Sequence, residues 1–207
     1  IINIKRHYMA KKIFLILLSG FFLAVSFLYI FNNRHTLFAV LYQTVGLNDK
    51  AVEEFTKAVQ SNPKDAYAYY QLGLIYKDRR DFNMAEDAYN KLLKIFPEHP
   101  DANYDLGYVY REKGLYDKAI AQYRKLVEID PKNPHAHYDI GYIYRMMGQH
   151  EEALKEYKRA LEIDPKHPYA HYDIGLIYEK WGMKDKAEEE FGIACKYAKV
   201  PKPTGCK

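Results

Sequence analysis

The chain has 207 residues, of which 48% are hydrophobic and 15% aromatic, with 21 tyrosines; so apolar and so patterned a sequence lies outside the disordered class. Its formal charge of +4 sits entirely in Lys5, Arg6, Lys11 and Lys12, with no acid among residues 1–12. The rest is neutral, so the Lys and Arg excess that a nucleic-acid-binding face needs is missing, and no nucleic-acid partner is expected.

Residues 1–12 are a short basic tail in which Met9 reads as the natural start. From Ile13 to Phe31, "IFLILLSGFFLAVSFLYIF", no residue is charged, close to the ~20 residues a helix needs to cross a bilayer. Lys11 and Lys12 precede this run, and Arg34 is the only permanently charged basic residue close behind it. The positive-inside rule then keeps the N-terminus cytoplasmic and sends the remainder to the periplasmic or extracytoplasmic side, as a single-pass membrane protein. The alternative is a cleaved signal with an apolar core from Ile13 to Leu23 and small residues at Ala24-Val25-Ser26, giving a secreted protein that begins at Phe27. The apolar run continues through Phe31, which a cleaved signal does not need. With the anchor retained, Asn32 to Val45 extends as a helix into the segment that follows.

That segment repeats. Glycine recurs every 34 residues at Gly73, Gly107, Gly141 and Gly175, and alanine at Ala51, Ala85, Ala119, Ala153 and Ala187. Tyrosine recurs at Tyr76, Tyr110, Tyr144 and Tyr178, and proline at Pro63, Pro97, Pro131 and Pro165. Between Ala66 and Lys77, Tyr69, Leu72, Gly73 and Tyr76 fall at steps of three and four, the spacing of one helix face. Met84, Ala85, Ala88, Tyr89, Leu92 and Leu93 predict a second helix. Asp78-Arg79-Arg80-Asp81 lies between them, and glycine-containing turns take that place at Gly114, Gly148 and Gly182. Each period is therefore a helical hairpin. The small residues Gly73 and Ala85 are expected where two helix backbones cross closely, and Pro97 and its equivalents end the second helix. One hairpin cannot bury its own apolar face, so each is the surface on which its neighbour packs.

Tyr69, Leu72, Gly73, Tyr76, Ala85, Tyr89 and Pro97 resemble the tetratricopeptide repeat. So do Leu106, Gly107, Tyr110, Ala119, Tyr123 and Pro131; then Ile140, Gly141, Tyr144, Ala153, Tyr157 and Pro165; then Ile174, Gly175, Tyr178, Ala187 and Phe191. The resemblance divides the chain into a degenerate first repeat over 32–65, four repeats over 66–199 and a tail over 200–207. The degenerate copy keeps Phe38, Tyr42, Ala51, Phe55 and Pro63 but has Ala39 in place of glycine. The family's tryptophan is replaced by Tyr69, Asn103, His137 and His171, and Lys199 stands where the last proline would. The resemblance implies an all-α solenoid of antiparallel helical hairpins in a right-handed superhelix, here preceded by a single N-terminal transmembrane helix.

Cys195 and Cys206 either form a disulfide that clips the tail to the last helix, or link two chains, or leave Cys195 as a small hydrophobe in the slot held by Leu93, Val127 and Leu161. His135, His137, His167 and His171 raise the question of a metal. Repeat geometry places His137 and His171 as equivalents, and no cysteine or carboxylate completes a ligand spacing, so no metal and no cofactor is expected. The acids Asp105, Asp139 and Asp173 recur with the period and are read as solvated or partner-facing. No Gly-x-Ser-x-Gly, phosphate loop or His-Glu-x-x-His is present, and the chain is expected not to be an enzyme.

In the family that this chain resembles, the first helix of each hairpin lines a concave groove for an extended peptide or a helix of a partner protein. Carried over, that face holds Tyr70 and Lys77, then Tyr104, Tyr108 and Arg111, then Tyr138, Tyr142 and Arg145, then Tyr172. Tyrosine and arginine are the residues enriched at binding hot spots. Tyr70, Tyr104, Tyr138 and Tyr172 also fit a packing role, whereas Tyr108, Tyr142, Arg111 and Arg145 depart more from the family pattern. The expected partner offers apolar and aromatic side chains, with acids for Arg111 and Arg145. The resulting expectation is a membrane-anchored scaffold that gathers a protein partner. The alternative is a structural subunit that self-assembles or organises a larger complex, with Ile193 and Tyr197 as an exposed apolar end.

Overall fold

The computed structural model describes residues 33–198, and among these it is all-α, with ten helices and no strand. In chain order they are α1 (Arg34–Thr44), α2 (Asn48–Ser61), α3 (Ala66–Asp78), α4 (Phe82–Ile95), α5 (Pro100–Glu112), α6 (Tyr116–Ile129), α7 (Pro134–Met146), α8 (His150–Ile163), α9 (Pro168–Lys180) and α10 (Lys184–Tyr197). No helix among the described residues is long and apolar enough to cross a membrane. The expected span over 13–31 and the tail over 200–207 lie outside the described residues.

The chain divides into two compact units, one ending at Ile75 and the other starting at Tyr76, with the boundary inside α3. In the first unit α1 packs on α2, and Ala39, Ala51, Phe55, Ala58, Ala68, Leu72 and Ile75 are buried. Gln43 donates to Gln71 (3.0 Å) and Thr36 to Asp65 (2.8 Å). In the second unit α5 packs on α6, α7 on α8 and α9 on α10, and the packing α4 on α5, α6 on α7 and α8 on α9 joins one hairpin to the next. Its core is built mainly from the columns that recur every 34 residues, such as Ala119, Ala153 and Ala187, and Tyr123 and Tyr157.

Local chemistry sets each boundary. Pro100, Pro134 and Pro168 occupy the first turn of α5, α7 and α9, where a missing N–H costs nothing. The residue before each proline caps the helix: His99 and His167 accept from Ala102 and Ala170, and Asn133 accepts from His135. Helices α2, α4, α6 and α8 stop two residues before Pro63, Pro97, Pro131 and Pro165, as the proline column predicts. The turn after α5, α7 and α9 holds Gly114, Gly148 and Gly182 at φ of 72°, 78° and 73°, whereas α3 ends with Arg80 at φ 62°.

Two expectations change. The recurring helix glycines make room for a ring more than for a backbone. A Cβ on Gly107 would lie 2.8 Å from the Tyr123 ring and one on Gly175 2.5 Å from Phe191, while one on Gly141 would lie 2.8 Å from the Tyr157 ring and 3.2 Å from the Ala153 carbonyl. The expected apolar end at Ile193 and Tyr197 is half-buried, with Lys166 and Lys196 lying 5.7 and 5.3 Å from the Tyr197 ring. The exposed large hydrophobics gather instead on α1 and the turn after it, at Leu37, Phe38, Leu41, Val45 and Leu47.

Candidate functional site

The first helices of successive hairpins in the second unit present one recurring polar arrangement. Lys77 donates to Asp105 (2.6 Å) and Arg111 to Asp139 (3.0 Å), while Arg145 pairs with Asp173 at 3.4 Å. Each cation reaches 28 residues forward to the next hairpin, because Lys77, Arg111 and Arg145 share one column and the aspartates another. The second helix adds a hydroxyl from the far side: Tyr89 donates to Asp105 (3.3 Å) and Tyr157 to Asp173 (3.2 Å). The middle rung is incomplete, since the Tyr123 hydroxyl and Asp139 Oδ2 have no hydrogen-bond partner.

These acids are buried, with Asp105, Asp139 and Asp173 exposing 7, 4 and 4%. The expectation of solvated or partner-facing acids is therefore corrected: they lie where two hairpins meet, and their period reflects that contact. Burial pushes the Asp139 and Asp173 carboxyls up, and the guanidiniums of Arg111 and Arg145 pull against it.

Tyr104, Tyr138 and Tyr172 pack on the second helix of their own hairpins, with ring centroids 5.7, 5.7 and 5.4 Å from Tyr123, Tyr157 and Phe191. Burial, with the carboxylates of Asp139 and Asp173 beside them, drives the Tyr104 and Tyr138 phenols to higher pKa. These three are structural rings at the floor of the site. Tyr70 lies half-buried in the first unit.

Above that floor is a stack. The Arg111 guanidinium lies 4.8 Å from the Tyr108 ring and 5.3 Å from Tyr142, and Arg145 lies 5.1 Å from Tyr142. Tyr108, Arg111, Tyr142 and Arg145 thus alternate ring and cation across two hairpins, each half-buried. Cation–π contact holds the planes together, and Asp139 and Asp173 already meet the two charges. The expectation that Arg111 and Arg145 await acids from a partner is revised on that ground.

The histidines are accounted for separately. His137 and His171 each meet a glutamate 19 residues on, Glu156 at 2.8 Å and Glu190 at 2.6 Å, as His35 meets Glu54 at 2.7 Å. They clamp the two helices of one hairpin. His171 Nε2 also meets the Pro165 carbonyl at 3.1 Å, the place where Asn103 donates to the Pro97 carbonyl. Both partners of His171 can only accept, so its ring holds both protons, and Glu190 raises its pKa against the opposing desolvation. His167 and His135 face each other at 3.4 Å. Because His167 Nδ1 caps α9, its other nitrogen donates, which leaves no lone pair for a metal. No group of three metal-capable side chains occurs among the described residues. The capping histidines and the His–Glu clamps are absent from the sequence expectations; the signals for them are the Pro after His99 and His167 and the repeated 19-residue step.

Cys195 is half-buried like Leu93, Val127 and Leu161, but it is disulfide-bonded and therefore not a free thiol. Its partner lies outside the described residues.

Models of the tetratricopeptide repeat match residues 34–65 and 168–199, 66–99, and 88–121, and a TPR repeat model matches 107–148 and 141–182. Together they run without a gap from 34 to 199. No curated protein matches the chain. Among solved structures, a crystal structure of MamA is similar with 26% identity and a TM-score of 0.73, covering 77% of this chain and 93% of that one. YrrB, described as a TPR protein with an unusual peptide-binding site, has 26% identity and a TM-score of 0.68 over 82% of this chain and 90% of its own. MamA from Desulfovibrio magneticus RS-1 shares the fold at 21% identity and a TM-score of 0.73, over 80 and 94%.

Proposed function

Since this chain belongs to the tetratricopeptide repeat family, we propose that it is a protein-interaction scaffold whose partner lies on the ring-and-cation stack of Tyr108, Arg111, Tyr142 and Arg145. One observation carries the reading: each guanidinium is fixed between a tyrosine ring and a buried aspartate, so the surface is rigid before anything binds. Pre-ordered amphipathic area is what binding hot spots use, because little side-chain entropy remains to be lost. With both charges met internally, the partner chemistry favoured is an extended peptide or helix rich in apolar and aromatic side chains, with backbone groups positioned for the tyrosine hydroxyls.

The same reading places the scaffold at a membrane. Ile13–Phe31 anchors it, with Lys11 and Lys12 on the cytoplasmic side and the repeats on the other. No residue constellation supports turnover, and the scaffold is proposed to be a non-enzyme.

The test is co-purification by the full chain from native membranes, identification of the captured protein, and repetition with Tyr108→Ala/Tyr142→Ala. Loss of two hot-spot rings predicts capture weakened at least about 30-fold with an unchanged helical circular-dichroism spectrum. Undiminished capture refutes the site. Light scattering that shows open-ended growth of the purified chain would favour the self-assembling subunit instead.

A further inference from the structure

The exposed face of α1 breaks the pattern of the equivalent helices. Phe38 and Leu41 stand in the columns of Leu106 and Val109, Ile140 and Ile143, and Ile174 and Ile177. In α5, α7 and α9 those side chains expose at most 2%, and the hairpins before them pack there. In α1 Phe38 exposes 48% and Leu41 52%, alongside Leu37 at 49% and Val45 at 68%. At 3.6 residues per turn these four fall within about 100° of one another, opposite the buried Ala39. They form one apolar stripe, with Arg34 at its start.

The residue at position 37 says what covers the stripe. Its column holds Asp105, Asp139 and Asp173 in α5, α7 and α9, each taking a cation from the preceding hairpin. In α3 the same column holds Gln71, which accepts from Gln43, so Leu37 is the one member of the column among the described residues whose side chain can take no polar rung. A second copy docked in the same register would bring Glu179, the residue in the cation column of α9, onto Leu37. The exposed stripe and the apolar residue at 37 together suit an apolar cover. Only Asn32 and Asn33 lie between Phe31 and Arg34, so over three steps of ~3.5 Å the start of α1 lies within about 10 Å of the end of the apolar run.

We infer that α1 lies along the bilayer surface with Leu37, Phe38, Leu41 and Val45 in the interface between headgroups and acyl chains. This rests on the anchor reading of Ile13–Phe31. If that run spans the hydrocarbon, the headgroup layer beyond it is roughly 5–7 Å deep, and α1 begins inside or against it. An interfacial helix buries an apolar stripe by several ångström and keeps basic side chains at headgroup level, which suits Arg34. Beside the stripe is a cleft of 520 Å³ of mixed lining, with Leu37, Val40 and Tyr67 next to Thr36, Lys64 and Asp65.

The test reconstitutes the full chain carrying Leu41→Trp into phosphatidylcholine vesicles with a quarter phosphatidylglycerol, with the unsubstituted chain and its native Trp181 as baseline. The emission added by Trp at 41 is expected to be blue-shifted and quenched at least twofold more than Trp181 by lipids brominated near the headgroup. A Tyr169→Trp chain, with its indole on exposed α9 surface, should stay unquenched. Added emission quenched by acrylamide but not by bromolipid overturns the inference, because the stripe then faces water. Emission protected from both overturns it in favour of a protein cover. A chain that fails to float with the vesicles at all refutes the anchor itself, whereas one that floats with position 41 unquenched refutes only the interfacial α1.

Discussion

Arg80 holds a backbone conformation that glycine holds in every other hairpin turn of the described chain, at φ 62° against 72–78° for Gly46, Gly114, Gly148 and Gly182. An L side chain there costs about 1 kcal/mol, and the Arg80–Glu112 ion pair, on a side chain 74% exposed, returns little. Arg80→Gly should therefore raise stability by about 0.5–1 kcal/mol, read as a melting point 2–4 °C higher; Gly148→Ala should lower it by about 1 kcal/mol. His171 gives the second residue-scale prediction. Its pKa is raised in the folded chain, so its contribution is complete below the unfolded value near 6.5 and lost as pH rises through the folded one. His171→Asn, which copies the residue that Asn103 supplies in an earlier repeat, should remove that component, so the stability difference from the parent is largest near pH 5.5 and shrinks by pH 8.5. Buried His167, with its pKa lowered, acts in the opposite sense, which is why the difference between chains is the quantity to measure.

At the scale of helices, the boundaries were legible because they are local: proline two residues past a helix end and glycine in the turn act without knowledge of the fold. The glycine column inside the helices was legible as a position but not as a cause. Which group fills the space above Gly141 depends on where α8 crosses α7, and the answer is the Tyr157 ring and the Ala153 carbonyl. Gly175→Ala puts a Cβ 2.5 Å from the Phe191 ring and should cost about 1–3 kcal/mol. Combining it with Phe191→Leu should recover part of that loss in a denaturant melt, since the obstacle is a side chain.

Across the second unit, the polar rungs bind each hairpin to the next, and their cost is conditional. A half-buried ion pair contributes little net stability, but removing one partner strands the other. Arg145→Met should cost roughly 2–4 kcal/mol by leaving Asp173 uncompensated in a site 4% exposed. Arg145→Met together with Asp173→Leu should cost less than Arg145→Met alone, and a larger loss would show that the rung itself stabilises the stack. The candidate site shares this network. Tyr108 and Tyr142 stand out in the sequence because they depart from the family pattern, and in the structure their rings lie against the guanidiniums of Arg111 and Arg145. Tyr104, Tyr138 and Tyr172 look equivalent to them as letters and separate only because their rings meet the second helix of their own hairpin.

The period, the hairpins, their turns and the small-residue columns followed from sequence alone, since each depends on residues within one turn or one repeat of 34. The burial of Asp105, Asp139 and Asp173, the sequestered charges of Arg111 and Arg145, and the bare apolar face of α1 were decided only by tertiary structure. An acid at a hairpin junction and an acid in water have the same periodicity, and only the packing of one hairpin on the next excludes the solvent that tells them apart.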